Sequence, residues 1–111
     1  MVIDDLERFP GGALVQHGLR DLAERRESAE ALLVVIGRGR LSAAGVDVPH
    51  VPVDDPEIRL YELLALDDPD AAHGRYNALV RQLTSFERAI EAANSAKAAK
   101  SGRAAARAPA G

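Results

Sequence analysis

A chain of 111 residues with 47% hydrophobic content is bounded to one domain with a single modest core. The absence of cysteine excludes a disulfide framework, a thiolate nucleophile and cysteine-ligated zinc, iron–sulfur or haem centres. The formal charge of -3 hides an uneven distribution: no acid follows Glu91, whereas Lys97, Lys100, Arg103 and Arg107 do, and setting those four apart leaves ten basic residues against 17 acids.

The apolar content is carried by Ala, Leu and Val with only 4% aromatics, which favours helix because those side chains lose little freedom there. The start, MVIDDLERFPGG, carries acids in place of a basic leader region. The longest apolar run, ALLVVI, is far shorter than a bilayer crossing. Together these predict a small cytoplasmic protein of bacterial type with no membrane span.

Asp4 and Asp5 open a short first turn that Pro10-Gly11-Gly12 ends. From Ala13 to Arg26, Leu14, Val15, Leu19 and Leu22 recur at helical spacing and predict an amphipathic helix. Ser28 caps the next segment, with Glu30 in its first turn where the helix dipole favours an acid. Leu32 to Ile36 is apolar on every side; the cap and the Ala-Glu-Ala lead-in predict helix over strand. Gly37 and Gly39 loosen the chain, and Leu41 to Ala44 adds a short turn closed by Gly45.

In GVDVPHVPVDDP, Pro49 and Pro52 forbid helix, so Val46, Val48, Val51 and Val53 predict an extended strap docked by its valines. Asp55-Pro56-Glu57 and Asp68-Pro69-Asp70 both fit a helix start with Asp as cap and Pro in the first position. The first predicts a helix with Ile58, Leu60, Tyr61, Leu63 and Leu64 inward, ending near Asp67. The second predicts the longest helix, with Tyr76, Leu79, Val80, Leu83, Phe86 and Ile90 as one apolar stripe. Beyond Ala92 there is no large apolar residue to bury, so disorder is expected from about Ser101. The predicted fold is therefore all-α: a four-helix bundle-like domain over residues 1–96, crossed by the strap between its second and third helices, with a basic, Ala-rich flexible tail over 97–111.

Four groups are candidates for chemistry or recognition. The acids Asp54, Asp55, Asp67, Asp68 and Asp70, with His73, offer oxygen and nitrogen ligands, but they match no calcium-loop or HExxH spacing and are explained as helix starts. Gly37-Arg38-Gly39-Arg40 lacks the third glycine of a dinucleotide loop and the GK[ST] of a P-loop, so no cofactor is expected; Arg38 and Arg40 remain exposed arginines able to meet an anion. His73, Asn77, Arg81, Thr84 and Arg88 fall in one quadrant of the last helix at about 100° per residue, beside the apolar stripe. Finally, Lys97, Lys100, Arg103 and Arg107 offer weak, salt-sensitive attraction to phosphates. Over about fifteen residues this tail is similar in composition to the Ala/Lys/Arg-rich tails of DNA-compacting bacterial proteins.

No nucleophile elbow or triad spacing involves Ser28, Ser42 or Ser85, and His17 and His50 stand apart from any sequence-adjacent partner. The function expected from these residues is a non-catalytic helical protein–protein interaction or regulatory module. Self-association into a homodimer is expected through Tyr76, Leu83 and Phe86, flanked by His73, Asn77 and Arg81. The alternatives are a nucleic-acid-associated protein using Arg38, Arg40 and the tail, and a metal binder at Asp67, Asp70 and His73.

Overall fold

The structure, a computed structural model, describes the backbone of residues 3–107 and the side chains of residues 6–98. It is all-helical, with no strand among the described residues. A 3-10 helix, Ile3–Arg8, precedes α1 (Gly12–Ala23), α2 (Ala29–Ile36), α3 (Arg38–Ala43), α4 (Pro56–Asp67) and α5 (Ala72–Arg107). The order of elements predicted from the sequence holds throughout, but the short turn expected over Leu41 to Ala44 begins earlier, as α3 from Arg38, and takes in Gly39.

α2 is the centre of the core. Ala31, Leu32, Leu33 and Val34 are all buried, which is how a helix without a polar face must sit. α1 and α4 pack against it, while α5 lies against α4, α1 and α2. The core is completed by Leu6, Val15, Leu19, Leu22, Leu41, Leu60, Leu64, Leu83, Phe86 and Ile90. Phe86 stacks edge-on against Phe9 with ring centres 6.0 Å apart. Val46 and Val48 of the strap are buried and Val51 and Val53 are half-buried, so the strap is anchored by its valines as its sequence predicts.

The helix ends show which local signals act. Ser28 is an extended N-cap that accepts from the Ala31 N–H at 3.1 Å. α3 stops at Gly45, whose φ of 93° is left-handed; the Gly45 N–H donates to the Ser42 carbonyl and the Val46 N–H to the Leu41 carbonyl. α1 stops by the same device, with Arg25 N–H on Leu22 and Arg26 N–H on Asp21, but here the left-handed residue is Arg25 at φ 60°. A side chain in that region costs about 1–2 kcal/mol that glycine does not. Arg25→Gly is therefore expected to stabilise the protein by about 1 kcal/mol, before the larger entropy of an unfolded glycine is counted. Chemical denaturation of the variant checks this; a loss of stability would mean that the Arg25 side chain makes a contact worth more than the strain.

Two expectations are corrected at the aspartates. Asp55 lies at φ 45° before Pro56 and makes no side-chain cap bond, because the left-handed backbone turns its carboxylate away from the first N–H groups. Asp68 does not open the last helix. It closes α4, and its Oδ1 accepts from the Asp70 and Ala71 N–H groups in a tight turn, so α5 begins at Ala72. From there α5 runs as helix to Arg107, past Ser101, where the composition predicts disorder; Ala, Lys and Arg propagate an existing helix without burial. At about 1.5 Å per residue its 36 residues span about 54 Å, most of the long dimension of the molecule, 64 Å against 26 and 23 Å. Residues 108–111 and the side chains of Lys100, Arg103 and Arg107 lie outside the described residues.

Candidate functional sites

The residues expected to recognise a partner divide sharply by burial. Leu83 and Phe86 are packed into the core of their own chain, with Phe86 at 0% exposure. In the folded chain these two side chains are taken up by packing against the other helices, while the outer half of the stripe, Tyr76, Leu79 and Val80, is half-buried. Tyr76 is half-buried with its ring 6.0 Å from that of Tyr61, while His73 and Arg81 are exposed and Asn77 Nδ2 stands 3.2 Å from His73 Nε2.

The apolar surface that does face solvent lies on α4. Leu60 and Leu64, one turn apart, are the fully buried residues of this helix. A seam that narrow leaves Ile58 at 59%, Tyr61 at 40% and Leu66 at 83% exposure, where the sequence predicts Ile58 and Tyr61 inward. Leu63 is half-buried between the two faces.

Of the two arginines expected to meet an anion, Arg38 and Arg40, the second is engaged within the chain. Arg40 is held by α5: Nε and Nη2 donate to the two carboxylate oxygens of Glu91 at 3.2 and 2.7 Å, and Nη1 lies 3.2 Å from Glu87 Oε1. Its fork is spent on an intramolecular clamp between α3 and α5, which Asn94 extends by donating to the Ala44 carbonyl at 2.7 Å. Arg38 is half-buried along a shallow groove with Ser42, His50, Val51 and Pro52. Lys97 is exposed.

Glu87 is the buried member of the clamp. Burial pushes its carboxyl above the ordinary value of 4.5, Arg40 opposes this and Glu91 adds to it. Since the folded protein then holds the proton more tightly than the unfolded chain, the contribution of Glu87 is fully present below pH 4.5 and is lost as pH rises through its folded value. Glu91 behaves oppositely. Its hydrogen bonds from Arg40 lower it, so its stabilisation is present above 4.5 and is lost on acidification through its lowered value. Glu87→Gln is expected to lack the stability that the native protein gains as pH falls through the raised value of Glu87. Urea midpoints followed from neutral pH down to the ordinary glutamate value measure it; parallel pH profiles for the two proteins would contradict it.

No three-ligand constellation forms among the acids of the two Asp-Pro turns in the described residues. Asp67 instead accepts from Arg75 Nη1 at 2.6 Å. The polar cluster that forms is one the sequence analysis missed, at the junction of α1 and α2. Asp21, 3% exposed, accepts from Ser28 Oγ at 2.7 Å on Oδ2, and His17 Nε2 meets the same oxygen at 3.1 Å. The i, i+4 spacing of His17 and Asp21 was legible, whereas their approach to Ser28 and Glu30 depends on how the two helices cross. A serine, a histidine and an aspartate thus stand together, but in the wrong order for a hydrolase. Ser28 and His17 both address Asp21, so no base faces the hydroxyl.

Beside this junction a small apolar pocket of about 130 Å³ lies between Leu22, Ala31, Leu32, Val35, Val51 and Val53, with Arg25, Arg26 and Glu27 at its mouth. No helix among the described residues is long and apolar enough to cross a membrane. The chain matches no family model, no curated protein and no solved structure.

Proposed function

We propose that the chain is a non-catalytic helical interaction module that pairs with a second copy of itself through the outer face of α4. The observation that carries this reading is that the large apolar side chains exposed among the described residues, Ile58, Tyr61 and Leu66, all belong to that one helix. Scattered exposed apolar residues are ordinary; three on one twelve-residue helix, with Tyr61 continued by the half-exposed Tyr76 on α5, concentrate apolar surface on this side of the molecule, although at about 100° per residue Glu62 falls between Ile58 and Leu66. A twofold pairing sets this patch against itself. Charge supports the same occupant, because the body of one copy is acidic and the C-terminal part of α5 in another carries Lys97, Lys100, Arg103 and Arg107 with no acid.

The same four charges favour a second reading, attraction to nucleic acid through the tail with Arg38, now without Arg40. That reading requires binding that collapses with added salt and with deletion of residues 97–111.

Cross-linking tests the first reading. Because the chain has no cysteine, Leu66→Cys introduces a single reporter at an exposed position without touching the core. Under mild oxidation it is expected to form a covalent dimer much faster than Arg81→Cys on the polar flank of α5. Equal rates for the two variants, or no dimer from either, would refute pairing through α4.

A further inference from the structure

We propose that His17, Asp21 and Glu30 form a binding site for one divalent transition-metal ion, with Zn²⁺ the best match. One donor atom from each of the three side chains lies within 4.8 Å of the other two. His17 Nε2 and Asp21 Oδ2 stand 3.1 Å apart. Two ligands of a tetrahedral ion with bonds of about 2.0–2.1 Å are separated by about 3.3 Å, so the pair needs almost no movement to share a cation. The i, i+4 placement on α1 aims both side chains to one side of that helix.

Three features of the fold build the site. Gly18 lies between the two α1 ligands, and its missing side chain is what lets the Glu30 backbone of α2 come against α1: a Cβ there would collide with the Glu30 carbonyl. Ser28 donates to Asp21 Oδ2 while its oxygen caps Ala31, which fixes the carboxylate as an outer hydrogen bond commonly fixes a metal ligand. Asp21 itself is buried, so its charge calls for a compensating cation. Arg26 supplies part of that charge from the far side, with Nη1 3.7 Å from Oδ1, and is drawn away by Glu24 at 3.3 Å. On the Oδ2 side, the hydroxyl of Ser28 takes one lone pair and leaves the other, facing His17, for the ion.

The ligand set selects the metal class. An imidazole with two carboxylates suits zinc, manganese, iron or nickel, whereas magnesium and calcium prefer all-oxygen shells. Three protein ligands leave a further position open, and His17, 58% exposed, places it at the solvent edge. The site lies on α1 and α2, away from the α4 face, and stands whether or not the chain pairs through α4.

Calorimetric titration of the full chain with ZnCl₂ and with MgCl₂, paired with thermal melts, tests the proposal. The native protein is expected to bind one Zn²⁺ per chain, to melt higher with zinc and to ignore magnesium. His17→Ala and Glu30→Gln are each expected to weaken zinc binding at least about tenfold, the lower end of what disturbing a metal's surroundings costs. His73→Ala, as a surface-histidine control, is expected to bind like the native protein. Both ligand variants alter side chains outside the core, and circular dichroism checks that they fold. Absence of zinc binding to the native protein would overturn the site. So would equal affinity in the native, His17→Ala and Glu30→Gln proteins, which would mark an adventitious surface ion.

Discussion

Replacing Phe86 by alanine is expected to cost about 3–5 kcal/mol, the range for truncating a fully buried aromatic. Phe86 is the largest of the fully buried side chains, and it is the one that joins α5 to the segment before α1 through the edge-on contact with Phe9. A domain of this size is stable by about 5–15 kcal/mol in all, so the variant is expected to melt about 15–30 °C lower and to stand at the margin of folding. Tyr76→Ala, on the same stripe but half-buried, is expected to cost far less. The contrast separates two accounts of α5. If Phe86→Ala kept its melting temperature and lost only self-association, the stripe would be an intermolecular surface and the packing described above would be wrong.

Gly18→Leu is expected to be strongly damaging although the position has no side chain to lose. A Cβ at Gly18 would collide with the Glu30 carbonyl oxygen and stand 2.6 Å from Val34 Cγ2. The obstacle is mainly backbone, which cannot rotate away, so α1 and α2 must separate. The cost is expected to reach about 3 kcal/mol, the upper part of the overpacking range. Alanine makes a graded test. It gains about 1 kcal/mol in helix propensity over glycine and still meets the same backbone, so Gly18→Ala is expected to be destabilising by less. Gly74→Ala supplies the opposite sign: nothing lies within 4 Å of its Cβ position, and a gain of about 1 kcal/mol is expected. Denaturant midpoints for the three variants decide it, and a stabilised Gly18→Ala would show that the helices do not cross at Gly18.

Local chemistry in the sequence was enough to place the helices. Ser28 as a cap, Gly45 as a stop, Pro49 and Pro52 as bars to helix, and the choice of helix for Leu32 to Ile36 all rest on a few neighbouring residues, and all stand in the structure. The stop after α1 escaped the same reasoning because Arg25 occupies a left-handed position that glycine ordinarily marks. Asp55 and Asp68 carried the right residue types for caps, yet backbone angles no composition reveals set them to other uses.

What the sequence left open was the division of apolar surface between the inside of the chain and a partner. Periodicity shows that Tyr76, Leu83 and Phe86 share a face with one another, and that Ile58, Tyr61 and Leu64 lie on an apolar helix. How much of each face finds cover depends on the positions of the other helices. α2 fills the centre, so α5 buries Leu83 and Phe86, whereas α4 fully buries Leu60 and Leu64, brings Leu63 and Ala65 partly against the core, and leaves Ile58, Tyr61 and Leu66 outside. The ion pairs follow the same logic. Arg40 reads as a free arginine until Glu91, 51 residues away, is brought to its fork.

Sedimentation equilibrium over a range of protein concentrations tests the proposed pairing most directly, comparing the native chain with an Ile58→Asp, Leu66→Asp double variant. Both positions are exposed, so the variant is expected to keep the native helical content and melting temperature. The native chain is expected to approach twice its 11.8 kDa mass as concentration rises, while the variant stays monomeric. A native chain that remains monomeric throughout, or a variant that associates as strongly as the native chain, would contradict the account.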